Sequence, residues 1–178
     1  MVDSARRLIH SGFNHGFPCF GTPLLAARKV GSDTRKGQFE LDRVIIDACA
    51  MKLVLNPWQF NMLVTTNLFG DIFSDLVAGL VGGLGMAPGA NIGADAAMFE
   101  AVHGSAPDIA GKGVANPTAL LLAAAMMLDH VKLTDKATRL RQALDATLNI
   151  DQVRTGDLGG KANPAEFTTA LVSCIANG

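Results

Sequence analysis

The sequence has 178 residues, 49% hydrophobic and 17% charged, with a formal net charge of -1 and no tyrosine. That composition excludes a disordered chain, and near-neutrality excludes the basic footprint of a nucleic-acid or anionic-membrane binder. The size fits one compact domain or part of a larger protein, and the missing tyrosine removes one class of catalytic acid.

Residues 1 to 22 mix Gly, His, Phe and Pro without a period and read as irregular chain; they also lack the unbroken apolar core of a secretory signal. Pro23 to Val30 is expected to form a short helix, and Gly31 to Gln38 a polar turn. From Val44 to Leu55 the residues are apolar nearly all round, which predicts a helix buried on several sides and ended by Asn56-Pro57. Asn61 to Thr66 is short and β-branched, as a central strand would be. A second apolar helix opens in Asn67 to Asp75 and runs to about Gly82.

Ten of the nineteen glycines fall between Gly70 and Gly113, where backbone must turn or come close to something else. Residues 76 to 94 are uncharged but contain Pro88 and several of those glycines, and the apolar run from Pro117 to Leu128 is shorter than the roughly 20 residues of a spanning helix. Met98 to Val102 reads as a strand, His103 to Asn116 as a loop, and Asn116-Pro117 as a helix start. Thr134 is expected to cap the next helix, and Asn163 with Glu166 to form a capping box for the last. Alternating strands and helices give an α/β class. Cys19, Cys49 and Cys174 are too widely and unevenly spaced for a disulfide framework or zinc site, which points to a reducing, aqueous compartment such as the cytoplasm.

Three aspartates stand out. Asp71 and Asp75 share one helical face about one turn apart, and no lysine or arginine lies between Lys52 and Lys112 to offset them. A hard divalent cation would do so; alternatively Asp71 caps the helix and Asp75 is solvated. Asp47, inside an apolar helix, must be paired or metal-bound if buried, and Arg43 and Lys52 are its candidate ion-pair partners. Gly82-Gly83 with Gly85 lacks both the Walker lysine and the order of a Rossmann fingerprint.

The segments Asn67-Leu68-Phe69-Gly70-Asp71-Ile72-Phe73-Ser74-Asp75, Gly85-Met86-Ala87-Pro88-Gly89-Ala90-Asn91-Ile92-Gly93, Phe99 to Ile109 and Ala115-Asn116-Pro117 together resemble the signature of the β-decarboxylating dehydrogenases, the isocitrate and isopropylmalate dehydrogenase family. The Ala-Pro-Gly-Ala-Asn-Ile-Gly ending is similar to the NAD-dependent isocitrate branch. Similarity extends over about residues 36 to 178.

The resemblance implies a three-layer α/β/α fold that is not Rossmann and is incomplete here. Residues 1 to 82 would belong to a small dimerisation and metal-site domain, and 83 to 178 to a large domain carrying the NAD loop. It implies Mg²⁺ or Mn²⁺ held by Asp71 and Asp75, with Asp47 supplied by a partner subunit of a dimer. It places NAD against His103, Gly104, Ser105, Ala106, Asp108, Ile109 and Asn116, with the Asp108 carboxylate favouring ribose hydroxyls over a 2′-phosphate. The implied activity is NAD-dependent oxidative decarboxylation of isocitrate to 2-oxoglutarate, in the tricarboxylic acid cycle; isopropylmalate, homoisocitrate and tartrate are alternative substrates. The family's catalytic tyrosine and its Lys-Ala-Asn-Ile-Met-Lys segment have no counterpart, since the chain has no tyrosine and residues 1 to 22 no lysine. The general acid and base are therefore unassigned, and a non-catalytic subunit or remnant that binds NAD and metal is the other reading.

Overall fold

The computed structural model describes residues 24–29 and 39–177, and divides at Val81/Gly82 into two compact units. The readings of 1–22 as irregular chain and 31–38 as a turn lie outside the described residues.

The first unit contains strands β1 (Leu24–Lys29) and β2 (Phe39–Val44), helix α1 (Ile46–Leu55), strand β3 (Met62–Val64) and helix α2 (Asn67–Val81). Its antiparallel sheet has the order β2-β1-β3, with Leu24 opposite Val44 and Leu25 opposite Val64. Two expectations are corrected here. Leu24 to Lys29 is a strand rather than a helix, because pairing on both sides overrides the local helix propensity of its leucines and alanines. Among the described residues the strand at Met62–Val64 is at an edge rather than central, and it is half-buried with alternation: Leu63 is buried, while Met62 and Val64 are exposed.

Val44, Cys49, Leu53, Phe60, Leu63, Phe73 and Val77 form the core of this unit. Cys49 and Leu53, and likewise Phe73 and Val77, are four residues apart, so each helix contributes one inward stripe. Burial pushes the Cys49 thiol up from 9.0 to about 11, against a smaller opposing pull from Lys52. The expectation that α1 is buried on several sides is corrected: Met51, Val54 and Leu55 are 57%, 57% and 74% exposed. Asn56 ends the helix as expected, its N–H donating to the Lys52 carbonyl at 2.8 Å.

In the second unit, β4 (Pro88–Ile92) and β5 (Ala97–Ala101) form an antiparallel hairpin, with Pro88 opposite Ala101 and Ile92 opposite Ala97. Its glycine and proline hide β4 from a propensity reading, which finds only β5. Helices α3 (Thr118–His130), α4 (Thr134–Asp145) and α5 (Pro164–Asn177) follow, and α3 packs against both the hairpin and α4. Ala119, Ala123 and Ala125 are buried on α3, small side chains that allow close approach. Leu122, Ala143, Leu144, Leu148, Phe167 and Leu171 form the core.

The last helix is capped as expected: Asn163 N donates to Glu166 Oε2, and Glu166 N donates to Asn163 Oδ1, both at 2.9 Å. The Thr134 cap is corrected. No side chain caps α4; Leu133 N donates to the Leu128 carbonyl at 2.8 Å, so backbone closes that turn. Among the described residues no helix is long and apolar enough to cross a membrane.

Candidate functional site

In the first unit, α2 begins at Asn67, so Asp71 lies one turn inside the helix rather than capping it. Asp71 and Asp75 are both exposed, and the Asp71 carbonyl accepts a bond from Ser74 Oγ at 2.9 Å. Positions four apart set Cβ atoms about 5–6 Å apart. Among the described residues neither carboxylate meets a cationic side chain at ion-pair distance. Oxygen donors in that arrangement fit a hard cation, and the like charges oppose each other without one.

Asp47 lies in the first turn of α1, where the helix dipole favours a carboxylate. It is exposed, and Oδ1 accepts from Ala48 N at 2.6 Å. The expected alternative of an ion pair to Arg43 or Lys52 is not formed, because exposure leaves the carboxylate solvated rather than in need of a partner. Among the described residues no group of three or more His, Cys, Asp or Glu gathers closely enough to hold a metal ion, so Asp47 is not brought to the α2 pair within one chain.

In the second unit, residues 102–117 join β5 to α3. His103 Nδ1 lies 3.1 Å from the Gly104 carbonyl oxygen. Ala106 has φ +42, a left-handed conformation that a side chain rarely adopts. The Ala106 carbonyl then accepts from Ile109 N at 3.1 Å, a turn with Pro107 at its favoured second position and Asp108 at its tip. His103, Gly104, Ser105, Ala106, Asp108 and Ile109 are all exposed, and Asn116 is half-buried. The loop therefore presents backbone groups and a carboxylate to a polar ligand.

Asn116 closes the loop. Its Oδ1 accepts from Thr118 N at 2.9 Å, the cap the sequence leads one to expect, and its Nδ2 donates to Asp157 Oδ2 at 2.9 Å. Thr118 Oγ1, buried at the same junction, has no hydrogen-bond partner among the described residues. Gly85 lies against Asn116: a Cβ there would be 3.0 Å from Asn116 Cβ and 3.0 Å from Asp157 Oδ2. Gly85 thus lets the backbone come close to the Asn116 and Asp157 pair. Asp157 was not among the residues the sequence singled out. Its only local signal is the Asp157-Leu158-Gly159-Gly160 string, in which a Cβ on Gly160 would clash with the Arg154 carbonyl.

A sequence profile described as isocitrate/isopropylmalate dehydrogenase matches residues 26–173. That match begins at Ala26, within β1, a strand that the sequence resemblance had left out. The chain is 58% identical over 132 residues to an isocitrate/homoisocitrate dehydrogenase of Thermus thermophilus, covering 74% of this chain and 39% of that protein. It is 53% identical over 137 residues to mitochondrial NAD isocitrate dehydrogenase subunit 2 of Schizosaccharomyces pombe, covering 75% and 36%. The crystal structure of isocitrate dehydrogenase from Methylococcus capsulatus superposes with a TM-score of 0.71 at 53% identity, over 73% of this chain and 39% of that one. The chain thus spans less than two fifths of the length of these relatives.

Proposed function

The chain belongs to the isocitrate/isopropylmalate dehydrogenase family and has that family's α/β fold over the length it covers, and from this premise we propose that it carries the metal and NAD sites of an isocitrate dehydrogenase. The reaction is the oxidative decarboxylation of isocitrate to 2-oxoglutarate. The observation that carries this reading is the Asp71 and Asp75 pair, exposed on one helical face with no cationic partner among the described residues.

Asp71 and Asp75 hold Mg²⁺ or Mn²⁺ by their carboxylate oxygens, and a second subunit contributes Asp47. When bound, the cation supplies Lewis-acid polarisation of the substrate's hydroxyl and of the ketone derived from it, which stabilises charge as CO₂ leaves. The turn from Ala106 to Ile109 presents the loop to NAD. Asp108 accepts hydrogen bonds from ribose hydroxyls and repels a 2′-phosphate, so NAD is preferred to NADP.

Residues up to Val81 form the C-terminal part of a small domain and those from Gly82 that of a large one, a division the two compact units support. The small domain dimerises through the exposed apolar faces of α1 and α2, which carry Met51, Val54, Leu55, Leu68 and Ile72. A second reading is a non-catalytic subunit that binds NAD and metal through the same exposed loop and carboxylate pair.

Calorimetric titration of the chain tests the sites. Wild type is expected to bind NAD at least about tenfold more tightly than NADP, with D108K/I109Y narrowing that ratio; Mn²⁺ binding is expected to fall at least about tenfold in D71N/D75N. Equal affinity for the two dinucleotides in both proteins, or Mn²⁺ binding unchanged by the double substitution, refutes the corresponding site. NADH formation from isocitrate by the chain with Mn²⁺ separates the enzyme from the non-catalytic subunit.

A further inference from the structure

We propose that Asp157 is a positioning residue for the loop 103–116, an inference that rests on reading that loop as the NAD site. Asp157 is 41 residues beyond Asn116 in sequence, yet its two oxygens divide between an interior anchor and the loop. Oδ1 accepts from Thr155 Oγ1 at 2.5 Å, and Thr155 is fully buried. Oδ2 accepts from Asn116 Nδ2 at 2.9 Å, while Asn116 Oδ1 accepts from Thr118 N.

Both ends of the Asn116 amide are therefore assigned. Rotating it by half a turn would set its oxygen against a carboxylate and its NH₂ against a backbone N–H. The anchor is itself held in place: Leu158 N and Gly160 N both donate to the Thr155 carbonyl at 3.0 Å, and Gly160 leaves no room for a Cβ beside Arg154. Gly85 closes the remaining side. Three segments remote in sequence thus fix the distal end of the loop before any ligand arrives. Removing Asp157 transfers the cost of ordering that end to the binding step, which weakens affinity.

The experiment is calorimetric titration of the chain with NAD, paired with ¹⁵N NMR of the Asn116 side-chain amide, in wild type, D157A and D157N. In D157N the new amide keeps the shape, its oxygen accepting from Asn116 and its NH₂ donating to the Thr155 hydroxyl. D157A is expected to bind NAD about tenfold more weakly, with the Asn116 amide protons exchanging faster, and D157N to remain within about threefold of wild type. If D157A does not fold, T155V decides. It keeps the side chain's shape but removes the hydroxyl that fixes Asp157 Oδ1, and is expected to weaken NAD binding at least about threefold, with faster exchange of the Asn116 amide protons.

Wild-type affinity and unchanged Asn116 amide exchange in folded D157A, or in T155V, overturn the positioning role and leave the NAD reading intact. No binding of NAD by the wild-type chain overturns both.

Discussion

The two units close their structures differently. In the second, side chains finish the turns: Asn116 bonds Asp157, Asp157 bonds Thr155, Asn163 and Glu166 cap each other, Arg141 pairs with Asp129, and Arg154 Nε holds the Leu148 carbonyl at 2.7 Å. In the first, closure comes mainly from apolar burial and backbone pairing, with Gln59 Nε2 donating to the Asn56 carbonyl at 2.8 Å, and among the described residues α1 and α2 leave apolar residues and two carboxylates without cationic partners on the surface. A polar loop held by its own unit is organised before it meets a ligand, which lowers the cost of binding. Apolar faces and like charges left open are completed from outside, by a second copy and by a cation, as proposed above.

Phe167→Ala tests the closed unit hardest. Phe167 is fully buried, and its truncation is expected to cost about 3–5 kcal/mol in urea unfolding, with amide exchange accelerating across α3 to α5. A loss below about 1 kcal/mol would mean that polar closure, not the core, carries this unit. Val54→Lys with Leu55→Lys addresses the open unit. These residues are already exposed, so the pair is expected to leave stability nearly unchanged while weakening self-association at least about hundredfold by light scattering. An unaltered dimer would place the interface elsewhere, and a monomeric wild type would remove it.

The smallest effect is expected at Cys49. Its folded pKa of about 11 lies above the ordinary 9.0, so the folded state holds its proton more tightly than the unfolded chain does. Its contribution to stability is complete below pH 9 and is lost as pH rises toward about 11. Cys49→Ala should flatten the alkaline arm of the stability profile; an unchanged arm would assign it to other groups.

Where local chemistry is strong, the sequence reads through to the structure. Asn163 with Glu166 and Asn116 before Pro117 announce helix starts because the capping atoms are neighbours in the chain. The apolar stripes of α1 and α2 are visible for the same reason. Leu24 to Lys29 is misread because its strand state comes from β2 and β3, whose pairing no local window contains. The ion pair considered for Asp47 with Arg43 or Lys52 does not form because its own face of α1 is exposed, although its neighbours in sequence are apolar.

The candidate site divides along the same line. Asp71, Asp75 and the residues from His103 to Asn116 are contiguous motifs, and the family follows from them. Asp157 is not, since its partner is 41 residues away. The sequence by itself determined the fold class, the family and most of the candidate ligand groups, all of which depend on short spacings that a helix or turn fixes. Only the tertiary structure decided which face of each apolar helix is covered, which strand lies at the edge, and that Asp157 reaches back to Asn116. Those outcomes depend on packing between segments distant in the chain, and no local preference encodes them.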